Sequence, residues 1–436
     1  MNTIEYLTAN FHELQSSNKD SGLSVVRQNA FDAFTKMGIP NMKHEEWKYT
    51  RVSNLFNKDY QFPALKKAAS ITLTDMEGFR LPGHELANEL VFVNGQFSFP
   101  LSTIRSEGLL VLPLETAAKN EFKDIVAQHF GHSSRYLNDG INAINTALVQ
   151  DGVFIHLEKG VALKHPIYIY NVTDARLVNI FSQPRSLVFI GERAEVEVVE
   201  TFVTLGLNES FVNQVMEIVV ERDAHVEYYK IQNDASHTNQ VSTTHFRQTG
   251  KSYVHTVTIS LNGGIVRNNL NMVMDAEYCE SHLYGLYFQQ GKSHIDNHTV
   301  VDNVKPNCLS NEFYKGILND QSSGVFNGKI FVQPDAQKTN AYQSNKNVLL
   351  SNEASVNTKP QLEIFADDVK CSHGCTIGRL DEEGMFYLRS RGINEKIARS
   401  LLLHGFVVDI LDKIKLGVIR NYVDQLISER LEYDIA

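Results

Sequence analysis

Residues 153–157 read VFIHL, residues 166–170 read PIYIY and residues 186–190 read SLVFI. Each stretch is short and rich in β-branched and aromatic residues, which is typical of β-strands. Six further stretches of this kind follow at 194–203, 216–220, 224–231, 253–261, 284–288 and 324–332. Strand-like runs that recur about every 8–12 residues, with no convincing long helix between them, predict a mainly β region.

The strand-like region, residues 151–376, is long for a simple β-sandwich. A solenoid solves the packing problem of such a region by stacking each coil on the last. The pattern alone does not separate a parallel β-helix from large antiparallel sheets, because both give short alternating runs. No fixed-length repeat is visible in the sequence. Both architectures therefore stay open on pattern alone.

The regions on either side of the strand-like region have helical character. The first contains a predicted amphipathic helix at 25–37, and a hairpin at 90–99 whose Asn94-Gly95 pair suits a type I′ turn. The last contains a helix for which Asn394 is a plausible N-cap. We therefore divide the chain into a mainly helical domain (1–150), a β core (151–378) and a helical domain (379–436).

The C-terminal region also carries an apolar stripe at helical spacing. Its members are Ile419, Tyr422, Val423, Leu426 and Ile427, with charged residues on the opposite face. Such a stripe packs either on its own chain or against a partner chain, since both need the same surface. The sequence leaves these two alternatives open.

Composition and charge exclude several classes of protein. The chain has 51 acidic and 41 basic residues, a net charge of −10, and no dense Lys/Arg cluster, so no nucleic-acid partner is expected. No apolar run approaches the ~18 residues of a membrane span, and the N-terminus lacks the pattern of a signal peptide. Four cysteines are too few for a disulfide framework. We expect a cytoplasmic protein with free thiols.

A candidate site lies at the end of the β core, in the stretch that includes Cys371, His373 and Cys375. If a strand runs through them, all three share one face. Thiol and imidazole groups suit iron, zinc or an iron–sulfur cluster. Two ligands do not make a complete site. Either another chain completes the set, or the cysteine packs as a small apolar residue and the histidine is hydrogen-bonded at a turn.

Other chemistry-bearing residues have structural interpretations. His294 and His298 are interpreted as ordinary polar surface residues, because no helix is predicted there, and Cys279 as a structural residue. Residues 44–48 (HEEWK) begin like a zincin motif, but Lys48 stands where the second histidine is needed. The chain has no phosphate-binding P-loop motif, so any nucleotide dependence must come from a partner.

Eight motifs that span nearly the whole chain carry a family resemblance. They are GIP (38–40), EWKYT (46–50), VFVNGQFS (91–98), QDGVFIH (150–156), SGVFNGKI (323–330), NKNVLLS (345–351), KPQLEIFADDVKCSHG (359–374) and GMFYLRSRGI (384–393). In this order they resemble the SufD branch of the SufB/SufD family, part of the SUF iron–sulfur cluster assembly machinery. The 359–393 block is the most specific of them.

The resemblance implies a right-handed parallel β-helix flanked by N-terminal and C-terminal helical regions. It implies a non-enzymatic scaffold that pairs with a SufB-like subunit near 359–378 and with a SufC-like ABC-type ATPase through about 394–431. A transient iron–sulfur cluster would form at the subunit interface, with none tightly bound in the isolated chain. His373 matches the family histidine implicated there, and Cys371 matches a family cysteine.

One position departs from the family pattern, because Cys375 stands where alanine is expected in relatives. Two other functions remain as alternatives. One is a purely structural β-solenoid subunit. The other is a β-helix polysaccharide hydrolase using Asp367 and Asp368, although neighbouring residues of a strand face opposite sides and no export signal is seen. Exposed solenoid edges also favour a homodimer when the partner is absent.

Overall fold

The computed structural model describes residues 3–17, 20–61, 71–137 and 139–433. Strands account for 41% of the structure and helices for 26%, which confirms a mainly β fold. The strands are β1 (Asn88–Val93), β2 (Gln96–Phe97), β3 (Leu109–Pro113), β4 (Val153–Leu157), β5 (Ile167–Asp174), β6 (Ile180–Ser182), β7 (Arg185–Ile190), β8 (Glu195–Leu205), β9 (Ser210–Val220), β10 (His225–Asn233), β11 (Thr238–Gln248), β12 (Tyr253–Asn262), β13 (Ile265–Met274), β14 (Glu280–Gln289), β15 (His294–Asn303), β16 (Leu309–Leu318), β17 (Ser323–Val332), β18 (Asn340–Leu349), β19 (Ser355–Ile364) and β20 (Lys370–Gly378).

Helices lie before and after this series of strands. The α-helices are α1 (Thr3–Ser17), α2 (Ser24–Met37), α3 (Leu73–Glu77), α4 (Leu114–Lys119), α5 (Lys123–His129), α6 (Gly140–Ala147), α7 (Glu382–Ser390), α8 (Glu395–Leu411) and α9 (Gly417–Tyr433). Short 3-10 helices lie at Glu45–Trp47, Ser53–Asn57, Phe99–Leu101 and His132–Arg135. Among the described residues, no helix is both long and apolar enough to cross a membrane.

The strands form two sheets that wind together as a parallel solenoid. Sheet B runs in the order β2-β1-β5-β8-β10-β12-β14-β16-β18-β20, and sheet A runs β19-β17-β15-β13-β11-β9-β7-β4-β3. From β5 onward every pair of neighbouring strands is parallel. Antiparallel pairing is limited to β1 with β2 and β3 with β4 among the described strands. The parallel β-helix is thereby confirmed, and large antiparallel sheets are excluded.

The length of the coil varies, which explains why the sequence shows no fixed repeat. His225 pairs with Tyr253, 28 positions later, whereas Leu309 pairs with Asn340, 31 positions later. On the other sheet, Ser323 pairs with Ser355, 32 positions later. The strands keep their register while the turns absorb the differences in length. The sequence therefore has no constant repeat length, although each coil contains the same pair of strands.

One corner of the coil is built in the same way several times. A residue with a φ of 57–62° precedes a small buried residue at Arg193-Ala194, Asp223-Ala224, Tyr278-Cys279, Asn307-Cys308 and Lys338-Thr339. The Cys279 thiol donates to the carbonyl of Ala276, and two coils later the Thr339 hydroxyl donates in the same way to the carbonyl of Ala336. The two buried cysteines are free and occupy places that alanine or threonine fills elsewhere. This arrangement supports the structural interpretation of Cys279.

The hydrophobic core lies between the two sheets and extends along the solenoid. Buried side chains from both sheets meet there, including Ile155, Val226, Met272 and Leu283. Because successive residues of a strand point to opposite sides, the other half of each strand faces outward. Those outer faces are covered by the terminal regions of the chain.

The N-terminal region covers the outer face of sheet A. Phe34 of α2, Trp47 and Phe56 pack with Phe211 of β9 and Val241 of β11. The guanidinium carbon of the buried Arg267 lies 3.7 Å from the Trp47 ring centroid, a cation–π contact. The hairpin of the same region also formed as predicted, since Asn94 and Gly95 both have the positive φ of a type I′ turn.

A buried ionic network fastens the segment around Trp47 to sheet A. Arg267 donates to Asp296 at 2.7 Å, and both side chains are buried. His298 lies 3.4 Å from a Glu46 carboxylate oxygen, and Glu46 also pairs with Lys329. The hydrogen bond that His298 donates to this carboxylate, together with Lys329, lowers the pKa of Glu46 to about 2.

The interpretation of His294 and His298 as ordinary polar surface residues is therefore wrong. His298 is buried under Glu46, and His294 is half-buried, with its Nε2 2.9 Å from the Thr50 hydroxyl. Thr50 lies 244 positions before His294 and Glu46 lies 252 positions before His298, so local sequence carried no sign of their burial. Burial lowers the pKa of both imidazoles, which favours their neutral forms.

We expect Asp296→Ala to destabilise the fold by about 3–5 kcal/mol, because it leaves the Arg267 charge buried without its partner. Urea unfolding monitored by Trp47 fluorescence measures the loss. Glu45→Ala is the matched control, since this carboxylate pairs with Lys359 at the surface of the same segment. The control should leave the unfolding midpoint unchanged. Equal midpoints for the two variants would contradict an anchoring role for the network.

The C-terminal helices cover the outer face of sheet B. Ile419, Val423 and Ile427 of α9 are fully buried and belong to the same hydrophobic cluster as Val257 of β12 and Leu286 of β14. The apolar stripe of this helix therefore packs on its own chain. The three-part division at residues 150 and 378 stays a proposal, and β1 and β3 of the first part pair with strands of the solenoid.

Candidate functional site

The predicted site lies on the last strand of sheet B. β20 pairs with β18 and is the terminal strand in the sheet order, just as β19 ends sheet A. Cys371, His373 and Cys375 lie in one continuous strand at alternate positions, so they share a face, as expected from the sequence. The solenoid thus ends with two strand edges, and the candidate ligands lie on one of them.

The shared face of these residues is the interior face of the solenoid. Cys371, His373 and Cys375 are in register with Ala341, Gln343 and Asn345 of β18, respectively. The three β18 residues are buried, and Ala341 belongs to the core between the sheets. The β20 residues lie one strand further out, at the end of the solenoid, where the interior opens.

Exposure distinguishes the three candidates. Cys371 is half-buried and packs against the core, whereas His373 and Cys375 are exposed. Burial raises the pKa of the Cys371 thiol, so it carries its proton at neutral pH. Metal binding requires the thiolate, and a ligating Cys371 would therefore release a proton. Cys371 therefore packs as a small apolar residue, and it also lies on the same face as His373, where it could act as a second ligand.

The described residues do not form a complete metal site. Nowhere among them do three or more His, Cys, Asp or Glu side chains converge in a way that could hold a metal ion. Cys371 and His373 supply at most part of the four ligands typical of zinc or iron–sulfur sites. Ligands from outside this chain would be needed to complete the coordination.

A polar pair that the sequence did not predict lies directly beneath His373. Glu312 of β16 pairs in register with Gln343, which pairs in register with His373. The Gln343 Nε2 donates to a carboxylate oxygen of Glu312 at 2.6 Å, and both side chains are buried. Burial raises the pKa of Glu312 to about 7. The sequence did contain one indication of this pair: Glu312 is a charged residue that alternates with Ser310 and Tyr314, whose side chains point to the interior.

Glu312→Gln should stabilise the fold increasingly as the pH rises. The folded pKa of about 7 lies above the ordinary value of 4.5, so the favourable contribution of Glu312 is present below about pH 4.5 and lost as the pH rises through 7. The advantage of the glutamine variant should grow on the order of 1–3 kcal/mol between pH 5 and 8.5. Urea unfolding at both pH values measures it.

Glu363→Gln, on the exposed part of β19, is the control for removal of a carboxylate. It should show no comparable growth in advantage with pH. If the Glu312→Gln advantage over the natural chain is the same at both pH values, the carboxyl group is not titrating between them, and the prediction is wrong.

A cavity of about 550 Å³ lies beside β20. It reaches from Ser372, His373 and Gly374 to Asp409 of α8 and Lys413, in the segment that follows this helix. The cavity therefore lies between the candidate strand and the C-terminal helices. Ser372 alternates with His373 along β20, so the cavity lies on the outer side of sheet B, opposite the face that carries the candidate ligands.

A second candidate surface lies on α7 and α8. Phe386 is 74% exposed and Leu401 51% exposed, and Tyr387 and Ile397 are also exposed. The two helices are adjacent, since Arg389 pairs with Glu395 at 3.3 Å. We call these four side chains the α7–α8 patch. Large apolar side chains exposed on adjacent helices are typical of a protein interaction site.

The hydrolase alternative gains no support from the geometry. Asp367 and Asp368 lie in the turn between β19 and β20, and both are exposed. The main chain of Asp368 is tied into the turn, because its carbonyl accepts from the amide of Lys338. Neither carboxylate lines the cavity beside His373. The inverting arrangement, two carboxylates facing one cleft, is not formed by this pair.

Comparison with known proteins gives two matches to family models, which follow each other along the chain. The SufBD protein N-terminal region matches residues 3–169, and the SufBD core domain of the SUF system for iron–sulfur cluster assembly matches residues 172–406. An iron–sulfur cluster assembly SufBD family protein of Synechocystis sp. is 32% identical over 430 residues, which cover 95% of this chain and 92% of the relative.

Two relatives are named as SufD. The iron–sulfur cluster assembly protein SufD of Escherichia coli is 28% identical over 419 residues, which cover 94% of this chain and 93% of that protein. The SufD of Bacillus subtilis is 24% identical over 337 residues, which cover 76% of this chain and 75% of that protein. The similarity extends over the solenoid and over the regions at both of its ends.

Proposed function

This chain belongs to the SufBD family of iron–sulfur cluster assembly proteins, and we propose that it acts as a SufD-like, non-enzymatic scaffold subunit in the cytoplasm. The observation that carries the proposal is the terminal strand β20, which holds Cys371 and His373 on one face at an open end of the solenoid. The iron–sulfur cluster is the cargo of this site. It would form there transiently, between this chain and a partner.

The partner at this end is a SufB-like subunit. Exposed strand edges readily accept a further strand, and main-chain hydrogen bonds then supply much of the affinity. A strand added beside β20 or β19 would bring side chains next to His373 and Cys371. Such an arrangement supports a shared site, because the ligands of this chain are an incomplete set. In the absence of the partner, the same edges favour a homodimer.

His373 is the principal ligand in this proposal, and Cys371 is a second one. Imidazole nitrogen and thiolate sulfur both bind iron in proteins. His373 is exposed at the strand edge and so is accessible to a partner, whereas Cys371 contributes from a half-buried position. Cys375 is exposed on the same face, and we assign it no role in the cluster.

His373→Ala should lower the iron and acid-labile sulfide recovered after anaerobic reconstitution of the complex with SufB-like and SufC-like partners. Loss of a direct ligand should cost at least the roughly tenfold that residues supporting metal ligands typically cost. Size-exclusion chromatography should show an intact complex. Ser372→Ala is the control, because Ser372 is the adjacent exposed residue on the opposite face.

The outcome of this experiment distinguishes a scaffold that binds the cluster from a purely structural subunit. Lower yield in the His373 variant with normal yield in the Ser372 control supports the scaffold and the site together. Normal yield in both variants, within an intact complex, would leave a purely structural subunit. Cys371→Ser, measured in the same way, decides whether the thiol is a second ligand.

The ATPase would dock on the α7–α8 patch. The apolar stripe of α9 is already buried against sheet B, whereas Phe386, Tyr387, Ile397 and Leu401 are apolar side chains of the C-terminal region that a partner can reach. We propose that a SufC-like ABC-type ATPase binds there. Because this chain carries no P-loop motif, ATP hydrolysis would take place in that partner.

Phe386→Asp and Leu401→Asp should each weaken binding of the SufC-like ATPase by about 30-fold, since a buried aromatic or aliphatic anchor commonly contributes ~2 kcal/mol. Isothermal titration calorimetry measures the dissociation constant. Leu177→Asp is the control, because Leu177 is 89% exposed and lies after β5, several coils away from β20. Unchanged affinity in both patch variants would move the docking site elsewhere.

A further inference from the structure

Gln343 is buried in the interior of the solenoid with only half of its amide satisfied. Its Nε2 donates to Glu312 at 2.6 Å, whereas its Oε1 has no hydrogen-bond partner among the described residues. A buried acceptor without a donor costs about 1–3 kcal/mol. Gln343 Oε1 is therefore an acceptor that gains from any donor brought within its reach.

His373 is the side chain placed next to this acceptor. Gln343 and His373 are directly opposite each other in the parallel pair β18–β20, on the interior face, and neighbouring strands are about 4.8 Å apart. An imidazole N–H at position 373 is thus the donor that the geometry offers to Gln343.

The facing sheet leaves room for the Gln343 amide at this point. Gly328 of β17 lies opposite it, and a Cβ at residue 328 would come within 2.2 Å of the Gln343 Nε2. Any larger side chain there would displace the amide from Glu312. Gly328 therefore leaves space for the amide, and the hydrogen bond to the Glu312 carboxyl group sets its orientation.

We propose that Gln343 is a positioning residue for His373: its Oε1 accepts a hydrogen bond from one imidazole nitrogen and so directs the other nitrogen toward the cluster at the partner interface. The inference rests on the proposed function of His373 as a ligand. Histidines that bind metals almost always donate their second N–H to a carbonyl, carboxylate or water, which fixes the tautomer and the ring orientation. Here an amide oxygen held by Glu312 has that role.

The test is a double-mutant cycle in the reconstituted three-protein complex, with iron and acid-labile sulfide as the readout. Gln343→Leu should lower the yield about tenfold, the usual loss for a residue that supports a metal ligand. In the His373→Ala background, Gln343→Leu should have no further effect, because the two residues act through one ligand. Thermal unfolding of each isolated chain checks that the variants fold.

Two further variants address folding and specificity. Gly328→Ala should lower the yield as Gln343→Leu does, since it displaces the same amide while leaving both residues in place. Gln289→Leu is the control, because Gln289 is another buried glutamine of sheet B with an unpartnered Oε1, but it is in register with Leu318. The control should leave the yield unchanged.

The outcomes distinguish the inference from the function on which it rests. Normal yield in His373→Ala overturns the proposed site and this inference with it. Reduced yield in His373→Ala together with normal yield in Gln343→Leu, or equal losses from Gln343→Leu in both backgrounds, overturns the positioning role alone. Equal losses would mean that Gln343 acts on the fold of the solenoid end rather than on His373.

Discussion

The hydrogen bonds between successive coils are the interaction on which the rest of this structure depends. Each strand of a parallel solenoid satisfies its amide and carbonyl groups by pairing with the strands of the coils before and after it. The last coil has no successor, so β19 and β20 each keep one edge that pairs with no other described strand. A ligand placed on β20 is consequently at a place where another chain can add a strand.

The terminal regions of the chain restrict where partners can bind. The N-terminal region lies on the outer face of sheet A, held by the Arg267–Asp296 network, and α8 and α9 lie on the outer face of sheet B. Both broad faces are therefore occupied by the chain itself over much of their area. The open end and the α7–α8 patch remain as surfaces of different kinds. The first offers strand edges that pair with no other described strand, together with the candidate ligands, and the second offers apolar side chains.

Features that follow from the two-residue alternation of a strand could be predicted from the sequence, whereas contacts between distant segments could not. Alternation placed Cys371 and His373 on one face, because a strand has a period of two whatever it pairs with. The same alternation did not distinguish parallel from antiparallel sheets. It also gave no indication that the segment around Glu46 covers His298, or that Gln343 lies beside His373. Those contacts depend on the register between strands, and turns of unequal length conceal that register.

A physical link between the two proposed partner sites runs through β16. Its Lys315 points outward, where the buried amine donates to the Phe406 carbonyl at 2.6 Å and pairs with Asp409 on α8. Its Glu312 points inward, where it holds Gln343 beneath His373. A force applied to α8 at the α7–α8 patch would act on the outer face of the strand whose inner face supports the candidate ligand. Because packed strands shift as units rather than bend freely, movement of this helix by a docked ATPase would reach the end of the solenoid through only two strand pairings, β16–β18 and β18–β20.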